Sequence, residues 1–294
     1  MRRRPPSPGA AQAGLSLVEL MVSLALGLLV VLAASALLLQ ARAAYLDIDD
    51  AARVRETGRL ALAHLADALR QAGHLPREAA PTADWPSGAV LLGDDDSSDP
   101  GALDAAAGSL RASAARGLHG SDILMVGYFG APSSSGAAIA NCSGGAVDDA
   151  PLQSDTRSWS IYYIAPGIGD EPELRCRYRG KSGAWATGAI ARGVEAMQLR
   201  YGLDSDLDGH ADRWLDASAI GAADWPRVRL ARIALLVRGE QRRPAPAGIA
   251  PRSYRLFDEP AGDRAWTYTE QGGEQRLRAV FRTTVFLRNA GGPP

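Results

Sequence analysis

Asp204, Asp206 and Asp208 are three carboxylates at alternating positions, followed by Gly209 and Asp212, a spacing suited to a metal ion. They match positions 1, 3, 5, 6 and 9 of a calcium loop of the EF-hand type, in which the backbone carbonyl at position 7, here that of His210, adds a further hard oxygen. Position 12, where such loops place a bidentate glutamate, holds Leu215, and Asp216 comes one residue late. The flanking residues read as a strand-to-loop junction rather than as helix, loop and helix. The spacing therefore predicts a weak Ca2+ site at Asp204, Asp206, Asp208, His210 and Asp212 outside any EF-hand. The competing reading is an Asp-rich hairpin turn satisfied by its own amides and by water.

Cys142 and Cys176 are the two cysteines. No second ligand pair accompanies them, so a structural metal centre is disfavoured. In an oxidising compartment they form a disulfide, closing a loop of about 34 residues worth roughly 3–4 kcal/mol in the chain-entropy treatment; the alternative is two buried thiols. His64, His74, His119 and His210 show no metal spacing, and neither a GxSxG elbow nor a phosphate loop after a strand is present. The chain is expected not to be an enzyme. The acidic run Asp94, Asp95, Asp96 and Asp99 reads as a solvated loop rather than a metal site. With 32 basic and 33 acidic residues and a net charge of -1, binding to nucleic acid or an anionic surface through bulk charge is disfavoured, and recognition must be local.

The elements that position these groups begin with an apolar block. After Arg2, Arg3 and Arg4, residues 15–39 carry a single charge, Glu19, and 20–39 are uncharged. At about 1.5 Å per residue a helix of this length spans the roughly 30 Å of bilayer hydrocarbon. The block is longer than a signal-peptide core, and the arginines before it predict a cytoplasmic N-terminus with the remainder of the chain outside. Glu19 costs at least ~2–3 kcal/mol in such a helix unless it reaches a partner or water. It either serves a function or sits at the interface, where the first turn favours an anion.

Residues 40–72 lack proline, and Leu62, Leu65 and Leu69 form one stripe with Arg59, Asp67 and Arg70 between them. The helix is expected to run from Leu15 to Gln71 and to stop at Gly73 and Pro76, with a bend allowed at Gly58. Strands are predicted over 123–129, 158–165, 173–178, 194–201, 228–237 and 277–287. The last alternates Leu277, Ala279, Phe281, Val285 and Leu287 against Arg276, Arg278, Arg282, Thr284 and Arg288, whose arginines are read as keeping the sheet soluble. A phase change between Leu230 and Ile233 predicts a bulge.

GLSLVELM at 14–21 resembles the class III signal of type IV prepilins and type II secretion pseudopilins. That resemblance implies cleavage by a prepilin peptidase between Gly14 and Leu15 and N-methylation of Leu15, which stands where the family usually has Phe. It also implies that Glu19 pairs with the terminal amine of a neighbouring subunit in assembly. GSDILMVGY at 120–128, MQLRYGLDSDLDGHAD at 197–212, VRLARIALLVRGE at 228–240 and VFRTTVFLRN at 280–289 are similar to the PilW family of minor pilins. The implied fold is α+β and type IV pilin-like, a long N-terminal α-helix packed on an antiparallel β-sheet head. The implied organisation is a leader at 1–14, a transmembrane and filament-core helix at 15–39, an amphipathic continuation at 40–74 and a periplasmic, later extracellular, β-rich head at 75–294.

The family implies a minor pilin that takes part in priming pilus assembly and is incorporated at or near the tip. Its expected partners are other minor pilins, the major pilin, prepilin peptidase, the inner-membrane assembly platform and a PilY-type tip adhesin, with no nucleic acid among them. It would lie in the bacterial inner membrane as a single-pass protein and then in the extracellular pilus. A type II secretion pseudopilin and a membrane-anchored calcium-dependent adhesion module are the alternatives.

Overall fold

The computed structural model describes residues 14, 16–76, 89–105, 107–131, 139–148, 156–180, 183–244, 248, 250–258, 266–270 and 274–289. Helix α1 spans Leu17–Gln71. Ser16 caps it: its Oγ accepts the Glu19 N–H at 3.2 Å and its carbonyl accepts the Leu20 N–H at 3.1 Å. The helix ends where the sequence predicts, at Gly73, whose φ of +69° is the left-handed turn that favours glycine. The chain divides into two compact units, Met1–Asp49 and Asp50–Pro294. In the first, large apolar side chains including Leu20, Leu24, Leu28, Leu32 and Leu38 are exposed. This part of α1 is long and apolar enough to cross a membrane.

The second unit holds two antiparallel sheets. One contains β1 (Leu91–Asp94), β4 (Ile123–Tyr128), β5 (Ser158–Pro166), β6 (Pro172–Arg179) and β7 (Trp185–Arg192), in that spatial order. The other is ordered β15 (Arg278–Phe286), β10 (Val228–Arg238), β8 (Val194–Leu203) and β9 (Arg213–Leu215). Three two-stranded ladders complete the described strands: β2 (Leu103–Asp104) with β3 (Ser109–Leu110), β11 (Arg243–Pro244) with β14 (Glu274–Gln275), and β12 (Ser253–Arg255) with β13 (Thr267–Thr269). Asp50, Val54, Gly58, Ala61, Leu65 and Leu69 form the buried stripe of α1 at steps of three and four residues. Val54, Ala61, Leu65 and Leu69 share one core with Ile123, Ile161, Leu199, Ile233 and Val285.

Several expectations are corrected. Gly58 is a packing slot rather than a bend, because a methyl group there would overlap the Phe281 ring. The described helix starts at Leu17, and Leu15 lies outside the described residues. The irregularities of the β8–β10 register lie between Val228 and Leu230 and between Leu236 and Val237, not between Leu230 and Ile233. There the apolar run reflects burial on both faces: Ala196, Ala234 and Leu236 build a second core with Leu256, Phe257 and Tyr268, against which Val280 packs. Arg276 and Arg278 are also withdrawn from solvent, the first onto the Gly239 carbonyl and Glu171 and the second onto Glu195 and Glu270, while Leu277, assigned to the core face, is 41% exposed. Strand β7 escaped the sequence reading because WATGAIAR, half exposed, alternates weakly.

Candidate functional site

Three features stand out, and the first is the start of α1. Ser16 and Glu19 have the S-x-x-E spacing of a capping box, a signal the sequence reading did not use. The structure realises its first half, the Ser16 Oγ bond to the Glu19 N–H. Glu19 stands in the exposed first turn, where unpaired N–H groups and the helix dipole favour an anion. Gly14 is described and exposed; Leu15, its partner in the proposed cleavage, is outside the described residues.

The second is the loop joining β8 to β9. The strands pair through Leu203 and Arg213, so residues 204–212 close a hairpin. Leu207 and Gly209, at φ +64° and +89°, turn the loop back on itself. One carboxylate oxygen from each of Asp204, Asp206 and Asp208 lies within 4.8 Å of the other two, with Asp204 buried and Asp206 and Asp208 exposed. Asp204 Oδ2 accepts the Gly209 N–H at 3.1 Å and Arg229 Nε at 3.0 Å. Burial opposes the Asp204 charge, and Arg229, through its bond and its charge, together with the backbone N–H groups of Gly209 and Leu207 more than offset it, holding the carboxyl below its usual range.

The other loop residues of the sequence reading are placed differently. Asp212 turns to Ser205, accepting its hydroxyl at 2.6 Å and its N–H at 3.3 Å. The His210 N–H donates to Asp208 Oδ1 at 2.7 Å, and its imidazole is exposed. Asp216 pairs with Arg200 at 3.2 Å.

The third feature lies at the opposite end of β8. Glu195 Oε1 accepts Tyr268 OH at 2.8 Å and Arg238 Nη1 at 3.2 Å, while Oε2 accepts Arg278 Nε at 2.6 Å. Arg278 continues to Glu270 at 2.9 Å, and Arg238 forks onto both oxygens of Glu171 at 3.0 Å. Burial alone would raise the Glu195 carboxyl; the bonds and charges of Arg278, with Tyr268 and Arg238, bring it below the ordinary range. The Tyr268 hydroxyl is pushed up to about 12 by burial and by Glu195. This network joins residues distant in sequence, so no local motif announces it.

Cys142 and Cys176 are joined in a disulfide with Cα atoms 6.3 Å apart. It ties the 139–148 segment to β6, beside the Cys142 N–H bond to Ser160 Oγ at 3.2 Å. The acidic run is not a solvated loop. Asp94 ends β1, Asp95 accepts the N–H groups of Ala217 and Ser218 at 3.0 and 2.9 Å, and Asp96 pairs with Arg116. Asp122, buried beneath them, accepts the N–H groups of Asp96 and Leu199, and its carboxyl is raised well above the usual range by burial and by Asp95.

The family model for Type IV Pilus-assembly protein W matches residues 161–289, and the prokaryotic N-terminal methylation motif matches residues 9–35. No curated protein matches the chain. Among solved structures, a type IV-like pilin from Thermus thermophilus aligns with a TM-score of 0.41 and 16% identity, over 81% of this chain and 98% of that one. The segment similar to the PilW family holds the loop and the ion-pair network, and the segment that matches the methylation motif holds Gly14, Ser16 and Glu19.

Proposed function

We propose that this chain is a minor pilin that helps prime type IV pilus assembly and stays at or near the tip. Prepilin peptidase cuts between Gly14 and Leu15, Leu15 is methylated, and Glu19 pairs with the terminal amine of a neighbouring subunit. Before assembly the apolar part of α1 crosses the inner membrane, with the second unit in the periplasm. The observation that carries the reading is the methylation motif laid over a helix whose large apolar side chains are exposed along residues 17–39. Such a surface needs lipid or other helices to cover it. A glutamate paired to an amine offsets the desolvation of both charges as the helix leaves lipid for a bundle.

Mass spectrometry of the N-terminus from cells with and without prepilin peptidase tests the processing; an unprocessed Met1 start in both strains defeats it. Glu19→Ala should leave the protein in the membrane and absent from sheared fibres. A deletion strain that keeps its surface pili but loses exoprotein secretion would support the secretion alternative.

A further inference from the structure

The strongest unassigned chemistry is at the 204–212 loop, and it stands apart from the pilus reading. Asp204 is fully buried, at 0% exposure. Its Oδ2 is engaged by Gly209 and Arg229, whereas its Oδ1 is buried with no hydrogen-bond partner. A buried carboxylate oxygen without a donor is costly and calls for an explanation, an ion among the candidates. Beside Asp204 stand Asp206 and Asp208, and one carboxylate oxygen from each of the three lies within 4.8 Å of the other two. Three like charges at this spacing repel, and a positive charge among them would resolve both the repulsion and the orphaned oxygen.

We propose that Asp204, Asp206 and Asp208 bind a hard divalent cation, calcium in preference to magnesium. The donor set is carboxylate oxygen, with the His210 imidazole exposed, which disfavours zinc and other borderline metals that draw on imidazole nitrogen and thiolate. The loop is open to solvent at Asp206 and Asp208, so water completes an irregular shell that calcium accepts and that magnesium, demanding an octahedron, does not. Asp212, held by Ser205, and Asp216, held by Arg200, do not supply the bidentate carboxylate of a tight site. Half-saturation is therefore expected at about 0.1–1 mM, the range of extracellular calcium modules. The bound ion pins the β8–β9 hairpin.

The test uses the purified full chain in detergent, stripped with EDTA and titrated with CaCl2 or MgCl2 while thermal unfolding and binding heat are followed. The control is the Asp206→Asn, Asp208→Asn double variant, altered only at exposed positions and first verified to melt like the parent in EDTA. The expected result is a saturable rise in Tm and a saturable heat with calcium in the parent. Magnesium should act at least tenfold more weakly, and the variant should lose at least tenfold in calcium affinity. Absence of a saturable response in the parent, an unchanged response in the variant, or equal potency of magnesium overturns the proposal.

Discussion

Two buried carboxylates stand at opposite ends of one strand. Glu195 is the second residue of β8, at 1% exposure, and Asp204 follows its last residue at 0%. Both oxygens of Glu195 meet donors, from Arg238, Arg278 and Tyr268, whereas Asp204 has one engaged oxygen and one without a partner. The first is a charge built into the architecture, holding the second core to the sheet. The second resembles a socket. Burial alone does not separate a structural carboxylate from a ligating one; the count of satisfied oxygens does.

The hardest blow to this contrast is at the satisfied end. Glu195→Ala removes the carboxylate shared by Arg278 and Arg238, leaving the first with Glu270 and the second with Glu171, and breaking a buried pair from one side costs up to about 3–5 kcal/mol. Urea unfolding should register that loss with or without calcium; a loss below about 1 kcal/mol would show that the network is not structural. Acidification gives a second, graded effect. The folded Glu195 carboxyl titrates below the ordinary value of 4.5, so its contribution is complete above that pH and fades as pH falls through the lower folded value. Asp122 has the opposite sign: with its folded carboxyl raised above 3.8, its favourable contribution is present at lower pH and is lost as pH rises through the folded value. Glu195→Gln should therefore flatten the acid limb of a stability profile, and an unchanged limb would assign that limb to other groups. At the open end, Arg229→Met removes a cation that engages Asp204 Oδ2. It should destabilise the calcium-free protein less than Glu195→Ala does, and calcium should restore part of the loss in thermal melts.

The two ends were unequally legible in the sequence. Asp204, Asp206 and Asp208 are close in space because they are close in sequence, so their spacing alone brought them together. Glu195, Arg238, Glu270 and Arg278 meet only through the sheet register and the cover given by residues 254–257 and 266–268, which no local period encodes. Helix α1 was readable for the same local reason, from its uninterrupted apolar run, the Leu65 and Leu69 stripe and the Gly73 stop. Asp50 was not: it is buried on α1 and accepts the Glu240 N–H at 2.8 Å, a partner 190 residues away. Arg276 and Arg278 were misread as solvating residues because alternation reports which face a side chain takes, not what covers that face. Gly58 was misread because a glycine that admits the Phe281 ring looks, in sequence, like one that permits a bend.

The smallest expected effect sharpens the contrast most. Asp206→Asn with Asp208→Asn, measured in chelator, alters two exposed residues that crowd a third carboxylate. Surface substitutions of this kind shift stability by no more than about 0.5 kcal/mol, and here like-charge repulsion is relieved while an asparagine Oδ1 at 208 can still accept the His210 N–H. A near-zero change without calcium, beside the large loss from Glu195→Ala, means that the loop carboxylates contribute little to the fold while the network holds it. A loss of several kcal/mol in chelator would reverse that assignment. The aspartates would then be turn-forming residues satisfied by their own backbone, and the two ends of β8 would differ in degree rather than in kind.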